Sequence, residues 1–143
     1  MLRPVARVVP LLVFAGLAAC KAGPDPCTAT VPCDANYAIE VPDHVATIQA
    51  CGSIGGYLDI DGEGFGRVDL PCLEAVEGAL LIDISGKLDH FDMKGLESVG
   101  RNFDVWGTGE SPTLEALAGL RTVGGDMTIA HTGYLTSLDE LSS

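Results

Sequence analysis

The chain has 143 residues, enough for one domain rather than two. Apolar residues make up 47 % and charged residues 20 %, which excludes a chain disordered throughout. Eight basic residues against 20 acidic ones set a net charge of −12, which argues against gripping nucleic-acid phosphates or anionic lipid headgroups.

The first residues read as an address. Arg3 and Arg7 make a basic start, and residues 8–17 form an apolar run broken only by Pro10 and Gly16. That is the layout of a secretory signal, and the run is too short to span a bilayer. Leu17-Ala18-Ala19-Cys20 resembles the lipobox of bacterial lipoproteins. The resemblance implies diacylglycerol on the Cys20 sulfur and cleavage before it, which makes residues 1–19 a signal peptide. Each buried acyl methylene contributes about 0.8 kcal/mol, and two or more chains anchor stably. Lys21, rather than an aspartate, follows the cysteine, which implies sorting to the outer membrane or cell surface. Losing Arg3 and Arg7 would leave six basic and 20 acidic residues, a net charge of −14.

Residues 20–32 carry the lipidated cysteine and then a stretch rich in Pro, Ala and Thr without hydrophobic period. They read as a flexible tether between membrane and domain. Cys27, Cys33, Cys51 and Cys72 remain, an even number that suggests two disulfides in an exported chain. Three pairings are open at this point. Zinc is disfavoured, because no CxxC pair occurs and His44, His90 and His131 lie far apart in the sequence. No cofactor is expected.

Residues 37–41 predict a first strand. Pro42-Asp43 then predicts a short helix with Asp43 as N-cap and residues 44–50 as its body. Laid over the first coil, that helix would cap the open end of a solenoid.

An internal repeat follows. Segments starting at Ile54, Val76, Val99 and Val123 are separated by 22, 23 and 24 residues. Each begins with a β-branched residue, passes through a glycine-rich turn and enters a short alternating strand. Leu58, Leu80, Phe103 and Met127 fill one position, and Ile60, Ile82, Val105 and Ile129 the position two later. Period 2 puts both on one face of a strand. Leu73, Leu96 and Leu120 lead into the last three segments, and Leu70, Met93 and Leu117 come three residues earlier. One such coil cannot bury its own apolar face, but stacked coils can. The recurring glycines predict a tight corner with positive φ. The expected fold is therefore mostly β, a short right-handed β-helix or leucine-rich solenoid of about four coils with a small N-terminal capping helix. Residues 135–143 repeat the approach to a further strand, so the chain reads as truncated at its C-terminus. The alternative is a short protein that covers its last edge with a partner or a second copy.

The pattern I/V-x-G-x-L-x-I followed by L-x-x-L-x-x-V resembles the receptor L domain, the leucine-rich β-helix-like domain of insulin and epidermal growth factor receptors. The resemblance covers residues 33–143 and is strongest over 123–141. It implies a disulfide bracketing the N-terminal helix, matched here by Cys33 and Cys51, which would leave Cys27 with Cys72. The repeat itself offers another pairing. Cys51 and Cys72 precede Ile54 and Val76 by three and four residues and could face each other on adjacent coils.

Catalytic signatures are thin. No GxSxG elbow, P-loop or HExxH occurs, and His90 among Asp89 and Asp92 has no placed nucleophile. His90 reads as an exposed loop residue. The run from Asp59 through Asp61 to Gly64 resembles the opening of a calcium loop, but the twelfth position is Leu70 where an EF-hand needs a bidentate Glu. Asp61 and Asp83 hold equivalent positions, and Asp59 shares a column with Asp104. Stacked carboxylates repel unless solvated or bridged by a cation. A solvated acidic face is the favoured reading, and a weak Ca²⁺ site on Asp59, Asp61 and Asp83 the alternative. Trp106, the single tryptophan, occupies the outward column of Asp61 and Asp83. Packing beneath its own loop is the favoured reading, and a ligand contact the alternative. The expected function is non-catalytic recognition of a protein or glycan at the cell envelope. The alternatives are an assembly module docking through its open end, and then a carbohydrate-active enzyme.

Overall fold

The computed structural model describes residues 27–28, 33–63, 66–84, 88, 90–107 and 114–130. The signal segment, Cys20, His131 and the repeat at 135–143 lie outside them. The elements in chain order are β1 (Tyr37–Ile39), α1 (Pro42–Ile48), β2 (Ser53–Ile54), β3 (Leu58–Asp61), β4 (Arg67–Asp69), β5 (Ala75–Val76) and β6 (Leu80–Asp83). They continue with β7 (His90–Asp92), β8 (Ser98–Val99), β9 (Phe103–Trp106), a 3-10 helix (Leu114–Leu117), β10 (Thr122–Val123) and β11 (Met127–Ala130). Every strand pair is parallel. The sheets are ordered β1-β3-β6-β9-β11, β10-β8-β5-β2 and β4-β7. Among the described residues the chain is thus mostly β with one α-helix, wound as a β-solenoid of about three turns.

The register explains the winding. Leu58, Leu80, Phe103 and Met127 stand opposite one another, as do Ile60, Ile82, Val105 and Ile129. Like residues therefore stack on like, and Leu58, Leu80, Phe103, Ile60 and Ile82 are all fully buried. At the next corner the L-x-x-L spacing closes a tight turn. Leu73, Leu96 and Leu120 donate their N–H groups to the carbonyls of Leu70, Met93 and Leu117 at 3.2, 2.9 and 2.9 Å. All six side chains point inward and are buried. The third side is less regular. Val68 of β4 pairs with Phe91 of β7, but the next turn lays the 3-10 helix there, joined by the Met93 N–H to the Ala116 carbonyl at 3.2 Å.

Residues 33–39 form a rung that the glycine pattern did not reveal. Tyr37 and Ile39 stand in register with Leu58 and Ile60, and the Gly55 N–H donates to the Cys33 carbonyl at 2.8 Å. Cys33 thus takes the place that Ile54, Val76 and Val99 take in later turns. The strand ends at Ile39 rather than residue 41. The helix begins at Pro42 with Val41 as N-cap and no side-chain cap, so Asp43 is not the cap. Proline's fixed φ suits the first helical position and moves the start forward, placing Asp43 inside the positive first turn. Val45 and Ile48 are the helix's buried residues.

The glycine corner corrects a second expectation. Among the described residues only Gly107 has positive φ, at 154°. At several corner glycines the preceding rung comes too close for a side chain. A Cβ on Gly78 would lie 2.5 Å from the Gly56 carbonyl oxygen, and one on Gly124 would fall on the Gly100 carbonyl.

Two disulfides close the N-terminal half, Cys33–Cys51 with Cα atoms 5.9 Å apart and Cys27–Cys72 at 5.3 Å. The alternative Cys51–Cys72 pairing is absent. The first bridge encloses β1 and α1, and the second ties the tether's end to the corner before Leu73.

Two predictions follow from these contacts. Gly78→Ala should destabilise the fold by about 1–3 kcal/mol through overpacking against backbone. Gly52→Ala, whose Cβ meets nothing closer than 3.7 Å, should stay within about 0.5 kcal/mol. Urea midpoints of the two variants test this, and equal effects would refute the steric account. Replacing both cysteines of a bridge by alanine should cost about 4 kcal/mol for Cys27–Cys72 and about 3 for Cys33–Cys51, following sequence separations of 45 and 18. The reverse order would show that the chain-entropy term does not dominate.

Candidate functional site

Two surfaces carry candidate chemistry, at opposite ends of the long strands. The first is the outward face of the large sheet. There Asp61, Asp83, Trp106 and Ala130 form one column, and Asp59, Leu81, Asp104 and Thr128 another. Asp59 and Asp104 are therefore separated by Leu81, while Asp61 and Asp83 are direct neighbours. Burial raises the pKa of Asp59, and the charges of Asp61, Asp83 and Glu40 raise it further. Asp61 is partly used by its own turn, since its Oδ1 accepts the Glu63 N–H at 3.0 Å. Asp59, Asp61 and Asp83 share a face, yet among the described residues no three His, Cys, Asp or Glu side chains are grouped to hold a metal ion.

Trp106 ends β9 and is 46 % exposed, in register with Asp83. Its carbonyl accepts the Ile84 N–H at 2.7 Å, which fixes the backbone beneath it. The chain then leaves through Gly107, where a Cβ would lie 2.7 Å from the Ile84 carbonyl carbon. Residues 108–113, the loop expected to cover the tryptophan, lie outside the described residues.

His90 is a correction. It opens β7 instead of lying in a loop, because the strand pairs in register with β4. Its Nε2 lies 3.1 Å from Asp69 Oδ1, and the other Asp69 oxygen engages Arg67. This trio joins two strands of a solvent-facing side and has no nucleophile in it.

The second surface is a groove of about 540 Å³ at the glycine corner, lined by Asn36, Gly56, Tyr57, Glu77, Gly78 and Arg101 among others. Its side chains are exceptions to the repeat. Glu77 stands in the column of Gly55, Gly100 and Gly124, and Arg101 in that of Gly56, Gly78 and Gly125. The backbone bonds Gly78 N–H to Gly56 O, Arg101 N–H to Gly78 O and Gly125 N–H to Arg101 O, at 3.0, 3.1 and 3.0 Å, establish that second column. Asn36 Oδ1 accepts the Tyr57 N–H at 3.0 Å, and Asn102 Oδ1 accepts the Asp126 N–H at 3.2 Å, so asparagine steadies this corner twice. Tyr57 is 43 % exposed. Sequence reasoning passed over all four polar side chains. The available signal was a side chain standing where the repeat otherwise keeps glycine.

The crowded acidic face generates a signed prediction. Asp59 holds its proton more tightly in the folded chain than in the unfolded one. Its contribution to stability is therefore fully present below the ordinary carboxylate range and is lost as pH rises through the raised folded pKa. Asp59→Asn should raise the unfolding midpoint at pH 7 by about 1–3 °C, and the gain should fade on acidification. Thermal melts across pH check this, and a variant less stable than the parent at pH 7 would contradict it.

In comparisons with known proteins the chain matches no family model, no curated protein and no solved structure, leaving its own residues as the basis for a functional assignment.

Proposed function

We propose that this chain is a non-catalytic recognition module held at the cell envelope by a lipid-modified Cys20. The supporting observation concerns the cysteines. Of five in the sequence, Cys27, Cys33, Cys51 and Cys72 are bonded to one another in two disulfides. The fifth, Cys20, is the cysteine that closes Leu17-Ala18-Ala19-Cys20. Export to an oxidising compartment and acylation of the remaining cysteine account for both facts together.

The receptor L resemblance supports the same reading. Residues 135–143 carry the leucine spacing toward a fourth coil, and α1 acts as the N-terminal cap by burying Val45 and Ile48 beside the first rung. A rigid solenoid on a tether presents its faces to ligands in the medium, and the strongly acidic surface keeps it clear of nucleic acid. A second reading, an assembly module stacking against another chain, has one observation in its favour. Met127 is 43 % exposed in the column where Leu58, Leu80 and Phe103 are fully buried.

Detergent extraction of membranes followed by intact mass measurement should yield a species that starts at Cys20 and carries acyl chains. Cys20→Ser should move the protein out of the membrane fraction. An unacylated wild-type species would overturn the anchor. A stoichiometric protein partner that is lost with Met127→Lys would favour the assembly reading.

A further inference from the structure

We propose, building on the recognition reading above, that the glycine-corner groove binds a neutral saccharide, with Tyr57 as the stacking platform and Asn36, Glu77 and Arg101 as hydrogen-bonding partners. The glycines themselves are explained by rung stacking and do not mark a ligand. The side chains around them do. Glu77 and Arg101 emerge on successive rungs in two columns that are otherwise glycine from Gly55 to Gly125. Among the described residues neither side chain has an ion pair or hydrogen bond, with each other or with any neighbour.

The inventory suits a sugar. A tyrosine ring 43 % exposed offers an apolar face to the C–H face of a pyranose. Arg101 supplies a planar fork of N–H donors and Glu77 a pair of acceptor oxygens. Asn36 Oδ1 is already engaged by the Tyr57 N–H, which holds the amide in place and turns its NH₂ donors to other partners. A group pinned before binding loses little freedom on binding. The volume of about 540 Å³ lies in the range of small-molecule sites and accommodates a short oligosaccharide.

Other ligand classes fit less well. An extended peptide binds by adding to a free strand edge or by filling apolar pockets. Here the corner amides are bonded between rungs, as in Gly55 N–H to Cys33 O at 2.8 Å and Gly78 N–H to Gly56 O at 3.0 Å. Besides the tyrosine the walls offer only Ala79 and glycine backbone as apolar surface, with no deep pocket for a large apolar side chain. An anionic ligand would meet Glu77 beside Arg101 on a chain of net charge −12.

The test uses the full lipidated chain in a detergent without a sugar headgroup. Neutral trisaccharides of glucose, galactose, mannose and N-acetylglucosamine are titrated calorimetrically up to about 10 mM. At least one should bind. Tyr57→Ala should weaken it by about tenfold or more, while Tyr57→Phe stays within about threefold because the ring is kept. Glu77→Gln and Arg101→Lys should each weaken binding with no change in the thermal melt, since both side chains are exposed. Binding by none of the four sugars overturns the inference. So does sugar binding that survives Tyr57→Ala but is lost with Trp106→Ala, and that result would leave the recognition reading standing. Loss of membrane anchoring on its own would sink the lipoprotein assignment without touching the groove.

Discussion

Parallel, in-register stacking at the spacing of β-strands, about 4.8 Å, is the constraint from which the other features follow. Within each sheet a strand residue lies directly over its counterpart one turn earlier. A column that begins apolar and inward must stay so, and Leu58, Leu80 and Phe103 obey this on one column as Ile60 and Ile82 do on the next. The same closeness keeps side chains out of the corner, where a Cβ on Gly78 would meet the Gly56 carbonyl at 2.5 Å. Glycine appears here for room between rungs. Left-handed backbone is confined, among the described residues, to Gly107.

This constraint also decides how much could be read from the chain alone. Columns write themselves into the sequence as a period, so the strands of the two repeating sides from residue 54 onward and their inward residues were legible, while β4 and β7 on the third side were not. The rung at 33–39 was legible only in its strand, read at residues 37–41; its place in the stack was not, because it starts with Cys33 instead of a β-branched residue, has Asp34-Ala35 in place of the glycines and puts Tyr37 in the leucine column. A disulfide clips this rung to Cys51. The 3-10 helix at Leu114–Leu117 was hidden for a related reason. Its L-x-x-L spacing is the same in all three turns, and only the backbone before the first leucine changes from strand to helix. The positive φ expected at the corner was wrong because sterics between rungs and sterics within a residue select the same amino acid.

The disulfides supply what stacking cannot. Among the described residues the first rung's strand β1 pairs on one side only, with β3. Cys33–Cys51 and Cys27–Cys72 fasten that rung and the residues ahead of it to later turns, 18 and 45 residues on. Cross-links of that kind act chiefly by restricting the unfolded chain, so they stabilise the end of the solenoid without demanding more core. Helix α1 adds Val45 and Ile48 to the same end.

Stacking makes exceptions informative as well. Like charges in one column repel, and Asp59 shows it: burial raises its pKa, and the neighbouring charges of Asp61, Asp83 and Glu40 raise it further. That face tolerates the repulsion because the carboxylates reach solvent, and Trp106 then Ala130 relieve the column within two further rungs. The corner behaves differently. Glycine is imposed there on rung after rung, yet Glu77 and Arg101 depart from it on successive turns and in adjacent columns, opposite in charge and unpaired with each other. Structural need accounts for the glycines and for the acids on the sheet face. It does not account for Glu77 and Arg101, exposed beside Tyr57 in the groove, and on these the proposal of a saccharide site rests.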